Sequence, residues 1–350
     1  MHTWLISPAD MATIMEAVGR DGLMDQVIAR LDDGFAAIGR GERRSSPPRG
    51  GFERAEPAPG VLEWMPHREA GDTVTIKTVS YSPLNSERYG LPTILGTVAR
   101  FDDATGRLTS LMDGALPTSI RTGAASAIAS RLLAPADART IGIVGAGCQA
   151  VTQVHALTRV LPVERVLVWD VDPAHAASFA ARVAFLGREV RVAEPELIMA
   201  KADVVCTATS VKAHADPVLP DTACRPDLHV NAVGADVVGK TELPESLVRR
   251  AFVTTDHPDQ ALREGESQRL SADRLGPTLA DLCASPGRAV QPRRGLTVFD
   301  STGVALEDHL VAEVFLEAAT MLGLGTRLPI EHDLVNALDP YALSPTAARA

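Results

Sequence analysis

A chain of 350 residues is too long for one small core and fits about two domains of the usual ~150 residues. With 45% hydrophobic and 22% charged residues the composition is globular, not disordered, and a net charge of −10 repels a polyanion, so no nucleic-acid partner is expected. No run approaches the ~20 apolar residues of a bilayer span, and the N-terminal stretch lacks a basic segment ahead of an apolar one, so neither membrane anchor nor signal peptide is expected.

Ser7-Pro8-Ala9-Asp10 has an N-cap followed by proline at the first helical position and predicts a helix to about Val18. Leu23, Val27, Leu31 and Phe35 form one stripe and predict a second helix over Leu23–Ile38. Gly41 to Gly60, rich in Gly, Pro, Arg and Glu, reads either as a surface linker or as a loop carrying arginines to a pocket. Val61–Met65, Val74–Tyr81, Ile94–Phe101 and Leu108–Met112 predict strands of an antiparallel meander, and Ala115–Leu133 a small-residue helix. From Arg139 onward the pattern alternates. Strands at Ile141–Val144, Val166–Trp169, Val190–Val192, Val204–Ala208, Val230–Val233 and Val253–Thr255 have intervening helical segments, most clearly between the first three, as in a parallel sheet. Leu296–Phe299 adds a strand, Val304–Met321 a helix, and a Pro-rich tail ends the chain. Cys148, Cys206, Cys224 and Cys283 form no CxxC pair, and no Cys/His cluster has zinc spacing. Free thiols in a reducing cytoplasm and no metal site follow as expectations.

Strand Thr140–Val144 runs into Gly145-Ala146-Gly147-Cys148-Gln149-Ala150 and then a helix, the context a GxGxxA nucleotide loop requires. Its glycines allow a tight turn and close approach of a pyrophosphate to the helix N-terminus. Asp170 ends the next strand, where a carboxylate accepts ribose hydroxyls and repels a 2′-phosphate, which points to NAD and not NADP. The plainer reading of Asp170 is a strand-end turn residue.

Several segments, in this order, together resemble the ornithine cyclodeaminase/mu-crystallin family. They are Glu63-Trp64-Met65-Pro66, Thr75-Ile76-Lys77, Leu91-Pro92-Thr93, Leu111-Met112-Asp113, Arg121-Thr122-Gly123-Ala124-Ala125-Ser126 and Gly145–Gln149. Asn231–Asp236, Gly239-Lys240-Thr241-Glu242-Leu243 and Phe299-Asp300-Ser301-Thr302-Gly303 complete the set, which spans nearly the whole chain. Within that family the likeness is greatest to the bacterial lysine cyclodeaminase branch. It extends to Gly39–Arg43, Arg49-Gly50-Gly51, Met65–Glu69, Ser271–Gly276 and Asp339–Leu343.

The resemblance implies an α/β fold: a Rossmann NAD-binding domain at 131–303 and an α+β substrate and dimerisation domain, with a mainly antiparallel sheet, at 1–130 plus 304–350. It implies a homodimer acting on an amino acid. Arg49, Lys77 and Arg121 would clamp the substrate carboxylate, with Glu63 and Thr302 beside it. Asp236 would hold the substrate amine and move its proton. Thr93, Arg121, Thr122, Gly145, Gly147, Cys148, Gln149, Asp170, Thr209, Val233, Gly234, Ala235, Lys240 and Ser301 would face the cofactor. Cys148 enters through its backbone N–H and not as a nucleophile. The implied reaction is internal redox: hydride leaves Cα of lysine to NAD, the side-chain amine attacks the resulting iminium carbon, ammonia departs, and the hydride returns to give pipecolate.

By residue type alone the readings stay open. Arg49 reads as surface charge among Arg43, Arg44 and Arg54; Lys77 and Arg121 as exposed-face residues; Asp236 as a capping loop aspartate; Lys240 as a solvated lysine. Glu63 reads as an outward strand residue, and Thr93, Thr209 and Ser301 as structural hydroxyls. Rival functions are an ornithine cyclodeaminase, an imine reductase or amino-acid dehydrogenase on the same scaffold, and a crystallin-like binding protein without turnover. Lysine and ornithine differ by one methylene, worth only ~1–3 kcal/mol of discrimination.

Overall fold

Residues 2–55, 57–221, 224–331, 335–336 and 338–342 are described by the computed structural model. Leu343, the end of the Asp339–Leu343 motif, and the tail beyond it lie outside the described residues. The first half of the chain contains β1 (Thr3–Ile6), α1 (Pro8–Val18), α2 (Arg20–Gly39), β2 (Gly50–Arg54), β3 (Gly60–Glu69), β4 (Thr73–Tyr81), α3 (Asn85–Tyr89), β5 (Ile94–Asp102), β6 (Leu108–Asp113) and α4 (Ala115–Leu133). Then come β7 (Thr140–Val144), α5 (Cys148–Val160), β8 (Arg165–Trp169), α6 (Pro173–Arg182), β9 (Glu189–Val192), α7 (Pro195–Lys201), β10 (Val204–Thr207) and β11 (His229–Ala232). The chain continues through α8 (Glu245–Arg250), β12 (Phe252–Thr255), α9 (Pro258–Glu264), α10 (Leu279–Ala284), β13 (Thr297–Asp300), α11 (Ala305–Leu322) and β14 (Thr326–Leu328).

Ser7 and Asp10 form a reciprocal capping box that starts α1, with Pro8 inside the first turn. On α2 the predicted stripe is buried: Leu23, Val27, Leu31 and Phe35 are each at most 1% exposed and pack in one core with α4 and α11. The small residues of α4 let it approach α5 closely. A Cβ on Gly123 would lie 2.5 Å from the Thr152 carbonyl oxygen.

Strands β3 to β6 form the expected antiparallel meander. The stretch read as a possible linker differs: Gly50–Arg54 is a strand, because its backbone finds a ladder partner in β3, from Gly50 opposite Trp64 to Arg54 opposite Gly60. Strand β1 was not foreseen either. It lies between β6, to which it is parallel, and β14, to which it is antiparallel.

The second sheet is parallel throughout, in the order β12-β13-β11-β10-β7-β8-β9, with a buried apolar cluster on each face. From β7 the chain first winds outward through β8 and β9 and then returns to β10 on the other side. This reversal between β7 and β10 is the switch point at which open parallel sheets leave a crevice. Among the described residues no helix is long and apolar enough to cross a membrane.

Candidate active site

The carboxyl ends of the parallel strands open into a cleft faced by β3 and β4 of the first sheet. Thr209 follows β10, Val233 and Gly234 follow β11, and Ser301, Thr302 and Gly303 follow β13; all six line the cleft. Gly147, Cys148 and Gln149 border it at the start of α5, and Thr93, Arg121, Thr122 and Lys240 also line it among the residues expected at the cofactor. Gly145 stands just behind with φ +95°, and a Cβ there would lie 2.6 Å from the Ala208 carbonyl oxygen, so the turn demands glycine. Helix α5 starts at Gly147 with no side-chain cap, and a Cβ on Gly147 would meet nothing within 4 Å. No side chain of the protein therefore caps its first N–H groups. Ala235 is buried outside the cleft lining. Asp170 also stands outside it, at the end of β8, where its carboxylate accepts the Ala146 N–H at 2.6 Å and the Asp172 N–H at 2.9 Å.

The three expected carboxylate-binding cations meet in this cleft, and each is already held by protein carboxylates. Arg49 is buried, not a surface charge. It pairs with Glu63 at 3.4 Å and Glu264 at 3.1 Å and donates to the carbonyls of Thr302 and Gly303. Lys77 is 1% exposed, with Nζ 2.9 Å from Asp308. Arg121 reaches Glu307 at 2.6 Å and Asp308 at 3.3 Å. Gly303 has φ +80°, and a Cβ on it would lie 2.6 Å from the Arg121 guanidinium, so this turn needs glycine on both counts.

Burial dominates the electrostatics. It pushes the Lys77 ammonium down to about 8, helped by Arg121 and resisted by Asp308. It raises the Glu307 carboxyl to about 7 against the pull of Arg121. Burial also lifts Glu63 above the usual carboxylate range, Arg49 notwithstanding. Lys240 behaves oppositely: burial opposes its charge, but Asp236 and Glu242 outweigh that and hold its ammonium above the ordinary lysine range. Asp236 lines the cleft with one oxygen 3.2 Å from Lys240 Nζ.

Residues 9–321 match the ornithine cyclodeaminase/mu-crystallin family, nearly all of the chain from the first helix to the last. The chain belongs to the ornithine cyclodeaminase/mu-crystallin family. Among its relatives is L-lysine cyclodeaminase of Streptomyces rapamycinicus, 51% identical over 343 residues, which are 98% of this chain and 100% of the relative. A solved lysine cyclodeaminase, studied for recognition of L-lysine, L-ornithine and L-2,4-diamino butyric acid, superposes with a TM-score of 0.97 at 64% identity. That match covers 98% of this chain and 100% of the other. An archaeal alanine dehydrogenase dimer with bound NAD superposes at 0.85 with 28% identity, covering 95% and 100%.

Several residues that build this family member's site escaped the sequence reading. Glu307 and Asp308 sit in the first turn of α11, where acids are ordinary helix-dipole partners, so nothing local marks them as anchors for Arg121 and Lys77. Asp256 accepts the Gly303 N–H at 2.6 Å and the Thr302 hydroxyl at 2.9 Å, fixing the turn after β13. Gln260 ties that turn to the Arg49 backbone, accepting Arg49 N–H at 2.9 Å and donating to Thr302 at 3.0 Å. Glu242 accepts the Thr209 N–H and hydroxyl, each at 2.7 Å, and the Gly234 N–H at 2.9 Å. It staples together the two strand ends that floor the cleft. Its segment was singled out, but a buried glutamate between Thr241 and Leu243 carries no signal of that task.

Proposed function

We propose that this chain is an NAD-dependent lysine cyclodeaminase that converts L-lysine to L-pipecolate and ammonia, working as a cytoplasmic homodimer. The observation that carries the reading is the 51% identity to an L-lysine cyclodeaminase over 98% of this chain, with no part of the relative left unmatched. The cleft is consistent with it. The uncapped start of α5, the open space beside Gly147 and the positive φ of Gly145 fit a dinucleotide pyrophosphate. Gly145, Gly147, Gln149, Thr209 and Ser301 would hold the nucleotide, with Asp170 at its adenosine end. NAD bound there supplies the means to take hydride from Cα and give it back.

The chain's own residues hold the substrate and move protons. Lys77 and Arg121, set by Asp308 and Glu307, offer their free N–H donors to the α-carboxylate, with Arg49 beside them. Carboxylates share the cleft with these cations: Glu63 and Asp236 line it, and Glu264 borders the adjoining groove. That mixture suits a substrate with one carboxylate and two amines. Asp236 takes a proton from the α-amine before hydride loss and returns it to the departing ammonia, while Lys240 orients it. The four unpaired cysteines accord with a reducing compartment. Phe52, Leu62, Trp64 and Leu95, exposed on the first sheet, are the apolar surface we assign to the second subunit.

The relative that recognises both L-lysine and L-ornithine supports turnover of ornithine as a second substrate. Purified protein incubated with NAD and either amino acid tests the proposal. Lysine yields pipecolate and ammonia, and ornithine yields proline more slowly. Proline formed faster than pipecolate would make it an ornithine enzyme, and steady NADH accumulation would make it a dehydrogenase.

A further inference from the structure

Behind the cationic wall of the cleft lies a second cluster that the reaction does not use. His67 and Glu69 are two residues apart on β3 and so project from the same face of the sheet. His309, on the second turn of α11, packs against them, its ring centroid 4.9 Å from that of His67. Both imidazoles are buried. A hydroxyl engages one nitrogen of each ring: Ser46 Oγ lies 2.9 Å from His67 Nδ1, and Thr75 Oγ1 lies 2.8 Å from His309 Nδ1.

That leaves Nε2 of both rings and Oε2 of Glu69 buried together without a hydrogen-bond partner. One potential ligand atom from each of the three residues lies within 4.8 Å of the other two. His67 Nε2 is 3.7 Å from Glu69 Oε2, and His309 Nε2 is 3.3 Å from Glu313 Oε1. Arg43 Nε stands 2.8 Å from Glu69 Oε2, an ion pair without hydrogen-bond geometry.

We propose that His67, Glu69 and His309 form a binding site for a divalent cation of the zinc class, with Glu313 or a water as fourth ligand. Three converging buried atoms that lack hydrogen bonds call for a common partner, because a buried polar atom left unmet is costly. Two imidazoles and a carboxylate are a borderline-soft set that selects zinc over magnesium or calcium. Tetrahedral zinc with bonds near 2.0–2.1 Å places its ligand atoms about 3.4 Å apart. The two closest pairs already stand near that spacing. The hydroxyls on the far nitrogens are the outer partners that orient metal-binding histidines. Arg43, paired with the same Glu69 oxygen, balances part of the carboxylate charge that the cation would share.

The cation ties β3 to α11 one residue from Asp308, which holds Lys77, so its role is structural. Sequence spacing did not reveal it, because the ligands come from opposite ends of the chain.

The test uses tag-free, full-length protein, treated with EDTA and desalted, then titrated with Co(II). Visible ligand-field bands should grow to one cobalt per chain and vanish on adding equimolar Zn(II). His67→Gln and His309→Gln should abolish the bands. Glu69→Gln, which keeps the size of a partly exposed side chain, should weaken cobalt binding roughly tenfold or more. His2→Gln should leave it unchanged. Zn(II) should raise the melting temperature of wild type and not that of the His67 and His309 variants. Absence of stoichiometric cobalt uptake by wild type, or bands unaltered in Glu69→Gln and either histidine variant, would overturn the assignment.

Discussion

Asp308→Asn probes how the site keeps a buried lysine charged. Moving the Lys77 pKa from 10.5 down to about 8 corresponds to roughly 3 kcal/mol acting against its charged form. At pH 7 a margin of only about one pKa unit, on the order of 1 kcal/mol, keeps it protonated. An ion pair at 2.9 Å contributes about 6 kcal/mol at an effective dielectric of ~20, several times that margin. Without the Asp308 charge, Lys77 becomes neutral at pH 7 and its charge-assisted hydrogen bond to the substrate carboxylate is lost. That bond is worth about 1.5–3 kcal/mol, so affinity for a carboxylate ligand should fall roughly 10- to 150-fold. The assay is titration of L-pipecolate onto NAD-loaded protein across pH. The sign is set by a folded pKa lying below the ordinary lysine value: wild type loses affinity as pH rises through about 8. The variant has already lost it at pH 7, so the two curves converge by pH 9.5. A variant within twofold of wild type at pH 7, or a gap that persists at pH 9.5, would refute the role given to Lys77.

Asp236→Asn preserves size and removes proton acceptance, so turnover should fall by about 10²–10⁴ while the Kd for NAD changes little; steady-state kinetics and nucleotide titration on the same preparation separate the two. Wild type should bind NAD well and NADP poorly, and Asp170→Ala should erase that preference. Because Asp170 also accepts the Ala146 N–H, the variant should lose NAD affinity as well as selectivity. Equal binding of both nucleotides by wild type would remove Asp170 from the ribose.

What could be read in the chain was local and periodic. The α2 stripe, the Ser7 cap and the alternation from β7 onward each express their structure within a few turns or residues, and each stands in the fold. Strand β1 has four residues and makes its ladder with β6 and β14, both distant from it in the chain. Nothing near Thr3 encodes those partners. Gly50–Arg54 has the composition of a linker and becomes a strand only through β3.

At the site, residue type alone favoured a surface charge for Arg49 and a capping role for Asp236, and the family likeness brought them to the pocket. The fold buries Arg49 because Glu63, Glu264 and two carbonyls meet its guanidinium there. The counter-charges stayed invisible for a physical reason. Glu264 ends a short helix and Glu307 and Asp308 begin another, positions where acids need no special cause. Only tertiary packing turns them into the frame that aims three cations at one cleft.

The internal return of hydride is tested most directly by following one atom. L-lysine deuterated at Cα, supplied with catalytic NAD in ordinary water, should give pipecolate that keeps deuterium at C2, with the α-nitrogen released as ammonia and no NADH left over. Pipecolate with hydrogen at C2, or with the α-nitrogen retained in the ring, would contradict a cycle in which one bound nucleotide removes and restores the same hydride.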